Sequence, residues 1–440
     1  MAPLPTVLAV LCLAPAAELS VKPTDWPQFR GPNRDGVSTE TGLLKKWPEG
    51  GPPKVWTATG LGGGYGSVSV VGGLIFGTGE KDGKEYVWAL DEATGEQKWA
   101  TPFADAPRVP GGYDEGPRSA PTYAAGKVYA VGQGGVLACL DATNGKLVWS
   151  KSYAKDFGGS MQTWAYSESV LVDDGKVIGT PGSASAAMVA LNPDTGAVIW
   201  KTPVARPGGA GGYASPVKAE VGGVPMYINL LGQTGGVIGV HAKTGKLLWQ
   251  YTRVMNGTAN IPSPVVSGDL VFTSTGYGAG AALLRLVPSA GGVRVEELKA
   301  YTGERRGPQP AVQNHHGGML PVGGHIYFGS GHNQGVPACV NFATGEVKWT
   351  AERSPRGGDG SAATAAADGM LYFRYQNGLM ALIKADPEKF ELVSSFQLPE
   401  RSRQPSWPHP SIANGKLYIR DQDKLLCSDG PALCFSPAWL

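Results

Sequence analysis

Long apolar runs, cysteine and net charge are all scarce in this chain of 440 residues, and each scarcity excludes a class of function. Past residue 17 no apolar run approaches the roughly twenty residues that a membrane-spanning helix needs. Lys and Arg number 38 against 36 Asp and Glu, a formal charge of +2, which leaves no excess for gripping a phosphate backbone. Nucleic acid is therefore not an expected partner. The five cysteines, Cys12, Cys139, Cys339, Cys427 and Cys434, include no adjacent pair and no Cys-x-x-Cys. The chain also lacks His-Glu-x-x-His, a calcium-loop spacing, a Gly-x-Ser-x-Gly elbow and a phosphate-cradling glycine loop. Helical periodicity is nearly absent.

What is abundant is turn and ring: 65 glycines, 35 prolines and twelve tryptophans. One pattern organises them. A small residue and an apolar residue are followed by Asp or Asn, two free positions later by Thr-Gly, and four residues after Gly by Trp. Good copies are Ala89-Leu90-Asp91 with Gly95 and Trp99, Cys139-Leu140-Asp141 with Gly145 and Trp149, and Ala190-Leu191-Asn192 with Gly196 and Trp200. Two more are Gly239-Val240-His241 with Gly245 and Trp249, and Cys339-Val340-Asn341 with Gly345 and Trp349. Alternating apolar residues make a half-buried strand, Gly supplies the positive φ of a tight turn, and the Asp or Asn can cap the turn's amides. Trp returns on the next strand opposite the small residue, which leaves room for the ring. Three cysteines sit in that small slot and read as packing residues; Cys427 and Cys434 could pair only if the tail folds back.

The tryptophans stand 50, 51, 49 and 100 residues apart, the last gap holding a decayed copy in 284–298. Weak copies follow at 381–396 and from Leu417 to Cys427. Two further strand-like runs precede each motif, so four short strands recur eight times. This predicts an all-β, eight-bladed β-propeller of four-stranded antiparallel blades. The strand carrying Trp56, rather than one near Trp439, is expected to complete blade eight and close the ring. Residues 53–427 form the propeller, 18–52 an N-terminal extension and 428–440 a tail. The short apolar core at 7–13 and Ala14-Pro15-Ala16-Ala17 predict a signal peptide over 1–17, hence a periplasmic or extracellular protein.

The motif resembles the tryptophan-docking repeat of the pyrroloquinoline quinone (PQQ) propeller superfamily over roughly 54–427. The stretches Asp25-Trp26-Pro27-Gln28-Phe29-Arg30-Gly31-Pro32, Gly116-Pro117-Arg118, Trp164-Ala165-Tyr166-Ser167-Glu168-Ser169 and Asn314-His315-His316-Gly317-Gly318 look like exported PQQ-like proteins of bacteria. The superfamily implies two kinds of activity. Quinoprotein alcohol dehydrogenases use PQQ with calcium held by Glu, Asn and Asp, often beside an adjacent-cysteine disulfide. The outer-membrane-protein assembly scaffold, BamB, has the propeller and no cofactor. The repeat speaks for the fold and says little about activity.

Loops entering the inner strands, and loops between second and third strands, emerge on one face of such a ring. The inner-strand starts there carry Arg118 in blade two, Glu168 in blade three and His315-His316 in blade six, the last preceded by Asn314. His332 belongs to the second-to-third loop of blade six. Together with Trp164 these residues form the candidate pocket at the channel mouth. The imidazoles could serve as acid–base groups, bind a transition metal, which no ligand spacing in the chain supports, or brace loop backbone. Arg118 and Glu168 could hold a ligand or pair with each other across two blades, and Trp164 could stack a flat ligand or anchor its loop. The expected reading is a binding or scaffolding module for a small molecule or a protein partner at the mouth, with no metal. The alternative is a PQQ-dependent dehydrogenase with calcium.

Overall fold

Each repeat folds as an antiparallel meander, because its turn glycines let the chain reverse and its alternating residues give the sheet two packing faces. The computed structural model describes residues 18–205, 211–302 and 311–430. The expected signal peptide, Cys12 and Cys434 fall outside them. Eight sheets follow in chain order, over 69–105, 122–152, 171–202, 217–251, 265–300, 319–350, 362–397 and 411–429. The last has three strands of its own. Its fourth is Lys54–Ala58, which pairs antiparallel with Lys424–Asp429 and sets Trp56 opposite Cys427. Among the described residues the one α-helix is the short Tyr153–Phe157 that leaves blade two.

The motif works as its spacing demands. Trp99 lies opposite Ala89, Trp149 opposite Cys139, Trp200 opposite Ala190, Trp249 opposite Gly239 and Trp349 opposite Cys339. A Cβ on Gly239 would lie 2.2 Å from the Trp249 ring, so this slot must stay small. Asp141 Oδ1 accepts the amides of Thr143 and Asn144, at 2.9 and 3.2 Å, and Asn341 caps its own turn in the same way. Each indole then docks on the next blade: Trp56 Nε1 donates to Glu92 O, Trp99 to Ala142 O, Trp149 to Pro193 O, Trp200 to Ala242 O and Trp349 to Asp386 O. The rings of Trp56, Trp99, Trp149 and Trp200 cover the turn glycines Gly95, Gly145, Gly196 and Gly245, where a Cβ would collide with them. Trp149, Trp200 and Trp249 are buried; Trp99 and Trp349 are half-buried.

The decayed blade explains one exception. Blade five turns at Ser289–Gly292 without an Asp–Thr–Gly loop, and Trp249 Nε1 finds no partner there. Tyr301 takes the missing tryptophan's place and donates its hydroxyl to Gly345 O of blade six. Cys139, Cys339 and Cys427 are buried free thiols, each pushed up to about 12 by burial, in keeping with a packing role.

Residues 25–40 do more than extend the chain. Trp26 exchanges two backbone hydrogen bonds with Val70 of blade one, and Pro27 O accepts from Tyr123 N of blade two. Arg34 donates to Ser169 O and Val170 O of blade three, while Arg30 donates to Met319 O of blade six. Val37–Ser38 then adds a parallel strand to the inner strand of blade seven. Inner strands on opposite sides of the ring are thus touched by one segment, which must cross the central channel.

Candidate functional site

Above that segment a cavity of about 350 Å³ opens at the channel mouth. Its floor includes Phe29 and Arg30. The walls come from loops that lead into the inner strands of successive blades, together with second-to-third loops of blades five, six and seven. The inner strands themselves begin later than the sequence suggests, at Ser69, Thr122, Leu171, Val217, Val265, Met319, Ala362 and Ser411. Arg118, His315 and His316 therefore lie in entering loops. A serine relay fastens these loops: Ser169 Oγ accepts Ala120 N, Ser215 Oγ accepts Ser169 N, and Ser263 Oγ accepts Ser215 N, each at 2.8–2.9 Å.

Five of the seven candidate residues line the cavity: Arg118, Trp164, His315, His316 and His332. The other two do not. Glu168 is fully buried inside blade three, where its carboxylate accepts Thr180 N at 2.8 and 3.0 Å and the Thr180 hydroxyl. Burial raises its pKa. Ser167 faces the cavity, so its neighbour Glu168 must point to the other side of an extended chain. Glu168 and Arg118 consequently form no pair: Arg118 donates to Gln133 Oε1 at 2.8 Å and to the carbonyls of Gly116 and Tyr113. Asn314 is also buried; its Nδ2 donates to Gly329 O at 2.8 Å and its amide to Ser274 Oγ at 2.8 Å, which pins the loop that presents the histidines.

The histidines do converge. Ring centroids of His315 and His332 lie 4.3 Å apart, those of His315 and His316 4.6 Å. Desolvation, reinforced by the neighbouring imidazoles, pushes His315 down to about 2 and His316 to about 3. These rings are neutral at ordinary pH. The Tyr277 amide donates to His332 Nδ1 at 3.3 Å, so His332 carries its proton on Nε2 and can donate it at the mouth. His315 Nδ1 meets Ser361 Oγ at 3.2 Å, and its Nε2 is buried without a partner. Among the described residues no group of three or more His, Cys, Asp or Glu converges in a way that could hold a metal.

Several lining residues lie outside the seven candidates, Tyr65, Tyr213 and His409 at the inner-strand starts that the sequence suggests for their blades among them. Trp407 packs between Tyr65 and Tyr113, with centroids 4.9 Å away from each, and donates its Nε1 to Gln376 Oε1. His409 donates Nδ1 to Thr364 O and is held near 3 by burial. Tyr213, Tyr277, Phe29 and Arg30 complete the set. Trp407, like the candidate Trp164, lies off the 50-residue spacing of the docking tryptophans, and that signal could have marked it. In all, seven aromatic residues, four histidines and two arginines line the cavity, and no acidic residue does. Glu115, near the rim, is occupied by the Tyr65 hydroxyl at 2.5 Å. The arrangement offers flat apolar faces, neutral hydrogen-bonding rings and fixed positive charge.

Comparison with known proteins agrees with this architecture. Tetrathionate hydrolase of Acidithiobacillus ferrooxidans is 30% identical over 210 residues, 44% of this chain and 38% of the relative. Outer membrane protein assembly factor BamB of Shewanella oneidensis is 34% identical over 115 residues, 26% of each chain. The chain thus spans well under half the length of these relatives. A europium-containing methanol dehydrogenase superposes with a TM-score of 0.63 at 15% identity, covering 90% of this chain and 89% of its own, which is a likeness of fold. The family model described as outer membrane protein assembly factor BamB matches residues 83–351, well over half of the chain, and the chain belongs to that family of PQQ-like propellers.

Proposed function

We propose that this protein is an exported propeller that binds a small, flat, acidic molecule at the mouth of its channel. One observation carries the reading: a single cavity gathers seven aromatic residues, four histidines and two arginines and is lined by no carboxylate. Aromatic faces hold a flat ring system, and a guanidinium fixes a carboxylate with paired hydrogen bonds. About 350 Å³ is at the small end of ligand sites. Export is supported by the apolar run at 7–13 and by the similarity to an outer membrane assembly factor.

PQQ, a flat polycarboxylate, meets these demands and would lie against Arg118, Trp164 and Trp407. Calcium does not fit in the same way. A hard cation of this kind takes six to eight oxygens with carboxylates prominent among them, and the one carboxylate in the candidate set, Glu168, faces into its blade. The donor set therefore favours binding without calcium over a calcium-dependent dehydrogenase. Thermal denaturation with added PQQ tests this, since a ligand of the native state raises the midpoint by mass action. The expected result is a saturable rise with PQQ alone, to which calcium adds nothing. No rise, or a rise that requires calcium, would contradict it.

The family match also favours a second reading, in which a protein partner docks at this mouth. That reading predicts capture of a partner chain that is indifferent to Arg118→Gln.

A further inference from the structure

Arg30 is anomalous. It is 2% exposed, yet its hydrogen bonds go to two carbonyl oxygens, Asp35 O at 2.8 Å and Met319 O, both from Nη2. Nε has no partner. Asp35, the acid whose field reaches Arg30, gives it a backbone oxygen as its hydrogen-bond acceptor, while the Asp35 carboxylate accepts the Val37 amide at 2.9 Å. Burying a cation without a directly paired anion is unfavourable, and proteins avoid it unless a counter-charge arrives from elsewhere.

The free side of this guanidinium borders the cavity. A Cβ on Gly318 would lie 1.8 Å from Arg30 Nη1 and 3.0 Å from His409 Cε1. Gly318, Arg30 and His409 all line the cavity floor. The preceding Gly317 is equally obligatory, since a Cβ there would meet Ala362 O at 1.9 Å. Both glycines have left-handed φ, 104° and 80°. The Gly317-Gly318 pair thus lets the floor close around Nη1 without covering it. Desolvation lowers the Arg30 pKa to about 10, so the group stays charged at neutral pH.

We propose that Arg30 forms a second anion-binding point at the floor of the cavity, beside Gly318 and His409, which receives an acidic group on the inner end of the ligand. Arg118 at the mouth and Arg30 at the floor would then select a molecule with acidic groups at both ends. The ligand assignment rests on the binding role proposed above; the floor site itself does not, because a bare halide can reveal it.

Crystals of the full chain soaked in bromide test the site by anomalous scattering. The expected peak lies within hydrogen-bonding distance of Arg30 Nη1 in the wild type. It persists in Arg118→Gln and disappears in Arg30→Gln. Should Arg30→Gln fail to fold, Arg30→Lys keeps the charge and should keep a displaced peak. In solution, bromide should compete with PQQ and raise its apparent Kd several-fold. Wild-type crystals with bromide at other sites and none at Arg30 would overturn the proposal. A bromide peak at Arg30 together with no PQQ binding would leave the floor site standing and remove the PQQ reading alone.

Discussion

Arg118 and Glu85 are joined through one residue. Arg118 Nη1 donates to the Gln133 side-chain oxygen at 2.8 Å, while the Gln133 amide donates to Glu85 Oε1 at 2.9 Å. Glu85 is fully buried behind the cavity wall, and desolvation raises its pKa to about 7. As pH rises through 7 it ionises and offsets part of the positive field of Arg118. Affinity for an acidic ligand should therefore fall several-fold between pH 6 and 8. Glu85→Gln should flatten that profile when Kd for PQQ is measured across the range; an unchanged profile would show that Glu85 does not reach the ligand.

Arg118 and Glu168 lie one residue out of register in adjacent blades, Arg118 on the cavity side and Glu168 in the core, so their substitutions should separate completely. Glu168→Ala strands Thr180 N–H and its hydroxyl in a buried site and should cost at least about 2 kcal/mol of stability by urea denaturation. Arg118→Gln should leave the urea midpoint nearly unchanged and weaken PQQ binding at least tenfold. The reverse pattern would restore Glu168 to the ligand site.

The two tryptophans on either side of blade four's outer face differ by one hydrogen bond. Trp200 Nε1 donates to Ala242 O at 3.2 Å, whereas the Trp249 N–H is buried without a partner. Trp200→Phe should therefore cost about 1 kcal/mol more than Trp249→Phe. Equal costs in chemical denaturation would mean that docking is packing alone.

Neutral buried histidines make stability depend on pH. Burial lowers His315 to about 2 and His316 and His409 to about 3, against an unfolded value near 6.5. Between those values the unfolded chain binds more protons, so stability rises with pH. Their contribution is complete above pH 6.5 and is lost as pH falls toward 3. Glu85 works in the opposite sense, contributing below its unfolded value and losing ground as pH rises through 7. Comparing wild type with His316→Gln cancels that contribution. The Tm of the variant should fall less steeply from pH 6.5 to 4, and parallel curves would refute the assignment.

The blades were legible because one local grammar repeats: a small residue, a capped glycine turn and a ring ten residues on. Trp56 could be assigned to blade eight because its strand lacked inner partners of its own. Tyr301 was not legible, since a tyrosine standing in for the docking ring breaks the pattern that would reveal it. Nor was the path of residues 25–40 through the channel. Their partners are carbonyls of blades far away in sequence, such as Met319 O and Ser169 O, and carbonyls leave no trace in composition. At the site, topology correctly gathered His315, His316 and His332 on the face that carries Arg118. It could not tell Ser167 from Glu168, because neighbours on an extended chain face opposite ways and a shift of one residue exchanges cavity for core.

The most direct test of the central claim is the quenching of Trp164 and Trp407 fluorescence by PQQ in calcium-free buffer, in wild type and in Arg118→Gln. Both rings line the cavity, so a ligand held there must report through them. The expected results are saturable quenching in the wild type, loss of that quenching in the Trp164→Phe, Trp407→Phe double variant, and at least a tenfold weaker Kd in Arg118→Gln. Quenching that persists in the double variant, or a Kd indifferent to Arg118, would place the ligand elsewhere and contradict the claim.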